Sequence, residues 1–406
     1  VTKHFYGLDV LRGIGIFGVI VLHGAFYHYR GVYDIDMENP GVVVTIIGLL
    51  LMFAGLFAVV SGFVHTHGYL QSRKQNRKGR LLHMVRSGLV LLAIAYFYFL
   101  FTGPGIVDFD TATMDESLFV SLINQGSFQA LTQERLFYVD SLVMLSLNVL
   151  LLAGLFKALS GKIFHEKAPV YLLAGATLFM ALSYVRLPLY EVYMDAVEEN
   201  RRGLMVLLNW FVAKNNPIFP FFAFALFGAW MALLVERYDL KGVRKRVLPV
   251  AAAYFIIGIV GYVLAPETML ERSIDPTWYF IMVAQIGLFT AFVFSALRLF
   301  DDRRASNRGK VSKFLSRFGV AGLTAFVLES VVAALIFVAL NRLFGFEPGM
   351  GGALLFGFVL ALLWGLLFIF WEKKGYVYTI EWLRFAFLNR YHASTKYEQL
   401  GEERRD

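Results

Sequence analysis

Apolar residues run unbroken for about 20 positions at a time along this chain, and polar clusters separate the runs. Runs of that length match the ~30 Å hydrocarbon core of a bilayer. They are continuous rather than alternating, so they predict helices and not barrel strands. The pattern predicts ten spans, at 8–28, 41–65, 84–103, 137–158, 169–187, 217–236, 248–265, 277–299, 319–343 and 351–371. Two further segments are too polar to span and too apolar for plain loops. YEVYMDAVEENRRGLMVLLNWFVAK (190–214) predicts an outer lateral helix or gate. YVYTIEWLRFAFLNRY (376–391) predicts an amphipathic helix lying on the inner surface. The expectation is an all-α polytopic membrane protein, with one integral-membrane domain over 1–391 and a charged cytoplasmic tail over 392–406.

Composition sharpens this picture. The chain is 58% hydrophobic, with a mean hydropathy of +0.61, where soluble domains average about 45–50% apolar. It has no cysteine, which removes disulfides, thiolate metal sites and a cysteine nucleophile. The first apolar run is too long for a signal h-region and lacks a small-residue cleavage site, so no cleavable signal peptide is expected. The net charge of +8 is distributed by topology and is no sign of nucleic-acid binding. QSRKQNRKGR (71–80), RYDLKGVRKR (237–246) and RLFDDRRASNRGKVSKFLSR (298–317) are basic, whereas the alternate loops are acidic. The positive-inside rule then places both termini in the cytoplasm and the chain in the plasma (inner) membrane.

An ionisable group at membrane depth costs several kcal/mol, so each one points to a role. His23 lies eleven residues beyond Arg12, roughly 16 Å further along the helix. Glu329 lies twelve residues beyond Arg317, roughly 18 Å, on a span that also starts inside. His23 and Glu329 at matched depth are candidates to share a proton, since a carboxylate-oriented imidazole makes a general base. Asn148 and Gln285 reach a similar level from the outside, as helix–helix glue or as the lining of a substrate site. Asp140 lies near the outer end, as a surface charge or an acceptor-side group. On the inner face Asp9 and Arg12 are i,i+3 neighbours. Arg86 opens the third span and Ser61 and Gly62 lie near the end of the second. Arginines, small residues and helix N-termini there suit a phosphate-bearing ligand, while Arg86, His65 and His67 also read as ordinary inner-surface anchors. His65 and His67 do not share a helix face, so no metal is expected.

At these residues the sequence resembles the transmembrane acyltransferases, a superfamily that includes the acyltransferase-3 family, the YeiB-like membrane proteins and the heparan-α-glucosaminide N-acetyltransferases. LDVLRGIGIFGVIVLH is similar to their first-helix signature, and LFAVVSGFV (56–64) to the end of their second helix. PIFPFFAFALFGAW (217–230) resembles their proline-led helix, and FGVAGLTAFVLESVV with YTIEWLRFAFLNR the C-terminal pair of the YeiB-like proteins. Here Tyr378, Thr379 and Ile380 replace the usual lead to the Glu381–Trp382 pair. The resemblance implies transfer of an acyl group, most simply acetyl, from cytoplasmic acyl-CoA to a hydroxyl or amine of a cell-envelope sugar, glycan or lipid. It implies that Arg12 serves the CoA entrance and that His23 acts as general base or acylated relay. Relatives often have glutamine or histidine where Glu329 stands, so its pairing with His23 is a reading of this chain alone. Its partners are expected to be membrane lipids and the acceptor, with a homodimer or a membrane-complex partner compatible.

Two other readings fit the same spans. In a proton-coupled transporter, His23 and Glu329 would form a relay. The absence of an evident internal repeat counts mildly against this. In a non-catalytic subunit of a larger membrane complex, the fold would be reused without activity.

Overall fold

A computed structural model describes residues 4–35, 41–44, 46, 53–74, 79–109, 111–159, 162–212, 215–265, 276–302 and 309–388. Its helices begin with α1 (Tyr6–Phe26), α2 (Ala54–Lys74) and α3 (Arg80–Phe97), which runs into a π-helical turn at Tyr98–Thr102. A short antiparallel hairpin, β1 (Ile106–Asp108) and β2 (Thr113–Asp115), follows, with Ile106 opposite Asp115. Then come α4 (Leu118–Gln125), α5 (Gln133–Leu136), α6 (Ser141–Leu159), α7 (Ala168–Leu182), α8 (Arg186–Glu198) and α9 (Arg202–Val212). The chain continues through α10 (Ile218–Arg237), α11 (Leu240–Leu264), α12 (Pro276–Phe300) and α13 (Lys310–Val320). It closes with α14 (Gly322–Phe344), α15 (Met350–Lys373) and α16 (Ile380–Leu388).

Among the described residues nine helical stretches are long and apolar enough to cross a membrane, and the chain is an all-α polytopic membrane protein. They correspond to nine of the ten expected spans. The expected second span, 41–65, falls partly outside the described residues, and α2 runs from its middle into the polar GYLQSRK. The charged tail at 392–406 also lies outside the described residues. The segment 190–214, expected as one lateral helix, is covered by two: α8 and α9 are separated at Glu199–Arg201, where Asn200 has φ of 53°. The expected span 319–343 is also broken. The chain turns at Ala321 between α13 and α14, so Arg317 and Glu329 are not on one helix.

The chain divides into two compact units. The first lies within Val1–Gly7, Met52–Ala95 and Phe137–Ser306. Its centre is α10, buried over 89% of its apolar stretch and packed on α2, α6 and α7. Small residues permit that approach. A Cβ at Gly62 would overlap the Ala225 carbonyl, and one at Gly228 would overlap that of Val59. The carboxylate of Asp301 accepts the amide N–H groups of Tyr6 at 2.8 Å and Gly7 at 2.9 Å, satisfying donors that open α1.

The second unit lies within Leu8–Leu51, Tyr96–Leu136 and Asn307–Asp406. Here α1 packs on α13 and α15 through the same device. A Cβ at Gly319 would overlap the Asp9 carbonyl, and one at Gly357 that of Val21. The α14 N-terminus lacks a local side-chain cap and takes one from α16 instead. Glu381 accepts the N–H of Leu323 at 2.5 Å and of Thr324 at 3.1 Å, and the Thr324 hydroxyl at 2.5 Å. A carboxylate at a helix N-terminus also complements the helix dipole.

Two predictions follow from this packing. Gly62→Leu, which forces α2 off α10, is expected to cost about 1–3 kcal/mol or more and to lower the thermal midpoint of detergent-solubilised protein; an unchanged midpoint refutes the close contact. Burial pushes the Glu381 carboxyl above its ordinary value, against the hydrogen bonds from Thr324 and Leu323 that pull it down. Between the unfolded and the raised folded value the folded state binds more protons. This group's contribution to stability is therefore present at lower pH and is lost as pH rises through that window. Glu381→Gln should flatten that part of a plot of melting midpoint against pH, and an unaltered slope would contradict it.

Candidate active site

The second unit brings His23 and Glu329 together. His23 stands in the last turn of α1. Glu329 lies seven residues into α14 and is fully buried. The imidazole Nδ1 lies 2.8 Å from Glu329 Oε1. The Ser330 hydroxyl donates to the same oxygen at 2.7 Å. With Glu329 ionised, the proton of His23 sits on Nδ1 and Nε2 carries a lone pair. The ring meets Tyr27 edge-on at 5.6 Å, and Phe326 lies 6.4 Å away.

These groups face a recess of about 330 Å³, part of it open. From the α1 end it is lined by His23, Tyr27 and His28. Glu329, Ser330 and Ala333 of α14 form a second wall, and Val120 and Asn124 of α4 a third. Pro104, Gly105, Met114 and Glu116 complete it from the hairpin segment. The hairpin was legible only as an acidic loop, so Glu116, Asn124 and His28 were not candidates from sequence. The HGAFYH spacing, with His28 five residues beyond His23, was the one available signal. Nothing in MDESLF distinguishes Glu116 from its neighbours.

A buried arginine holds the hairpin wall in place. Arg135 has no exposed side-chain surface, and its Nε donates to Asp115 Oδ1 at 2.9 Å. One Nη donates to the Phe99 carbonyl at 2.7 Å, and the other to the Pro104 carbonyl at 3.1 Å and to that of Asp115. The guanidinium also sits over the Phe99 ring, 4.8 Å from its centroid. Phe99 belongs to the π-helical turn, where the regular backbone ladder is interrupted and such a carbonyl can look outward. Ser117 ties the start of α4 to the same loop by donating to the Gly103 carbonyl at 2.7 Å.

The other sequence candidates are not among the residues that line this recess. In the second unit Arg12 donates to Asp9 at 2.5 Å, with Asp9 almost wholly buried and Arg12 about one-third exposed. The Arg12 Nε is buried without a hydrogen-bond partner. In the first unit Arg86 is exposed on α3 and Ser61 half-buried on α2. Asn148 donates to the Phe221 carbonyl at 3.3 Å and leaves its Oδ1 unpartnered, and the Gln285 Oε1 is likewise unpartnered. Asp140 accepts the Val143 N–H at 2.8 Å, the bond of a helix N-cap for α6. None of these three lines the recess. No metal-binding group of three or more ligands occurs among the described residues.

A family model described as an acyltransferase domain, that of the acyltransferase-3 family, matches residues 5–372, and the chain belongs to that family. No curated protein matches the chain. Family and spans together make this an integral-membrane protein of acyltransferase type.

Removing the arginine should loosen the hairpin wall. Arg135→Ala takes a donor from the partly buried Asp115 carboxylate and from three carbonyls, and is expected to cost about 1–3 kcal/mol. Arg135→Lys keeps the charge but loses the fork, and should fall between the two. Chemical denaturation of the purified protein measures both, and equal stability of all three would refute the clamp.

Proposed function

We propose that this acyltransferase-3 member transfers an acyl group, most simply acetyl, from cytoplasmic acyl-CoA to a hydroxyl or amine of an extracytoplasmic sugar, glycan or lipid. The observation that carries the reading is the hydrogen bond between His23 and Glu329 on the wall of a recess, with Arg12 eleven residues earlier on the same helix. On this reading the chain lies in the plasma membrane with both termini in the cytoplasm.

A thioester is already activated, so the protein has two tasks: to position it and to take a proton from the acceptor. His23 Nε2 accepts the proton of the acceptor O–H or N–H. The freed electron pair forms a bond to the thioester carbonyl carbon. The C–S bond then breaks, and the imidazolium returns the proton to the departing thiolate. Glu329 holds the ring in the productive tautomer and stabilises the imidazolium while it lasts. Arg12, set by Asp9, is assigned to the charged end of the donor. The separation of Arg12 and His23, roughly 16 Å along the helix, is close to the reach of an extended pantetheine arm.

The test is release of free CoA from acetyl-CoA by purified protein. Wild type should release it slowly, as water replaces the acceptor. His23→Ala should bind donor yet be slower by about 10²–10⁴-fold, the range of general-base catalysis. Glu329→Gln should slow release while leaving donor affinity intact, and Arg12→Ala should weaken donor binding. Release unaffected by His23→Ala would remove the base from the mechanism, and no donor binding by wild type would remove acyl-CoA.

A further inference from the structure

The recess carries a second carboxylate whose setting is unlike that of the first. Glu116 is 8% exposed. Its two oxygens accept hydrogen bonds from Asn124 Nδ2 at 2.6 Å and Gln125 Nε2 at 2.9 Å. Its own amide N–H is taken up by Gln129 Oε1 at 2.8 Å. All three partners are neutral amides. Among the described residues Glu116 has no ion-pair partner, and no lysine or arginine lines the recess. The nearby cation, Arg135, is spent on Asp115. Across the recess Glu329 is fully buried, and its Oε2 has no hydrogen-bond partner.

Two carboxylates therefore face one small recess, Glu329 bonded to the His23 imidazole and Glu116 to amides alone. Burying a carboxylate beside neutral donors alone is costly, and a like charge close by adds to the cost. That arrangement is relieved by a ligand that brings hydrogen-bond donors or a positive charge, and made worse by one that brings phosphate or carboxylate.

Resting on the acyl-transfer reading above, we propose that Glu116 is the residue that selects the acceptor by charge. The acceptor group entering the recess is a neutral polyol or an amino-substituted one, and acceptors that place an anionic group there are refused. Glu116 accepts from a hydroxyl or ammonium that the acceptor presents, opposite the group delivered to His23. The fixed amides of Asn124 and Gln125 keep its oxygens from swinging away to solvent.

The experiment measures ligand-induced shifts in the melting midpoint of the full chain in detergent, so it needs no turnover. The probes are methyl glucoside, glucosamine and glucuronate. For wild type, glucosamine and methyl glucoside should raise the midpoint, and glucuronate should bind at least tenfold more weakly. Glu116→Gln, of the same shape, should narrow the gap between glucuronate and methyl glucoside by about tenfold and abolish the preference for the amine. If Glu116→Gln does not give a monodisperse protein, Asn124→Asp serves instead: an added negative charge beside Glu116 should widen the gap. Equal shifts for glucuronate and methyl glucoside in wild type would overturn the proposal, as would a ranking unaltered in the variant or no shift with any probe. Acetyl-CoA hydrolysis by wild type is measured alongside. A protein that keeps the ranking but never turns over the donor refutes the acyl-transfer reading and leaves the selector standing. A protein that turns over the donor without the ranking does the reverse.

Discussion

A carboxylate with no exposed surface, set within an apolar helix, has to be held by donors, and in the second unit that requirement organises much of the rest. Glu329 meets it with His23 and Ser330. The first of these bonds joins residues 306 apart in the chain and brings together α1 and α14. Once they meet, the position of α14 matters to a fraction of an ångström, and its N-terminus is secured by the Glu381 carboxylate and Thr324 rather than by a local cap. The glutamate–tryptophan pair near the C-terminus thus has a structural account. It anchors the helix that carries the buried acid.

Close helix approach is the second constraint. In a bilayer the lipid is as apolar as the side chains, so association rests on packing and on polar contacts. Both units use glycine against a backbone carbonyl, at Gly62 and Gly228 in one and at Gly319 and Gly357 in the other. In α1, Gly13 meets the backbone of Leu315, whereas a Cβ at Gly18 would meet nothing within 4 Å.

The recess shows where helix-level reasoning runs out. One wall is a hairpin and a short helix, held by one buried arginine through hydrogen bonds to a side chain and three carbonyls. Arg135 stands two positions before the expected span 137–158. Its importance comes from carbonyls left available by a π-helical turn and a tight loop, and no residue type encodes those. Asn148, Gln285 and Asp140 illustrate the converse. Their polarity at depth was plain, yet the structure gives Asn148 a carbonyl partner and Asp140 a helix cap, and places none of them on the recess.

What the chain determined unaided was the helical class, nine of its spans, and the short list of ionisable groups that lipid would not tolerate idle. Those follow from local physics: a backbone in hydrocarbon must bond within its own segment, and charge there is expensive. The count from Arg317 to Glu329 crosses a turn at Ala321, between α13 and α14. The pairing of His23 with Glu329, expected from the sequence, is made; the second carboxylate across from them and the loop that closes the recess were decided by tertiary structure alone. Periodicity records which face a residue turns to lipid; it does not record which distant segment arrives at that face, because that choice is made by glycine-permitted contacts and by hydrogen bonds spanning most of the chain.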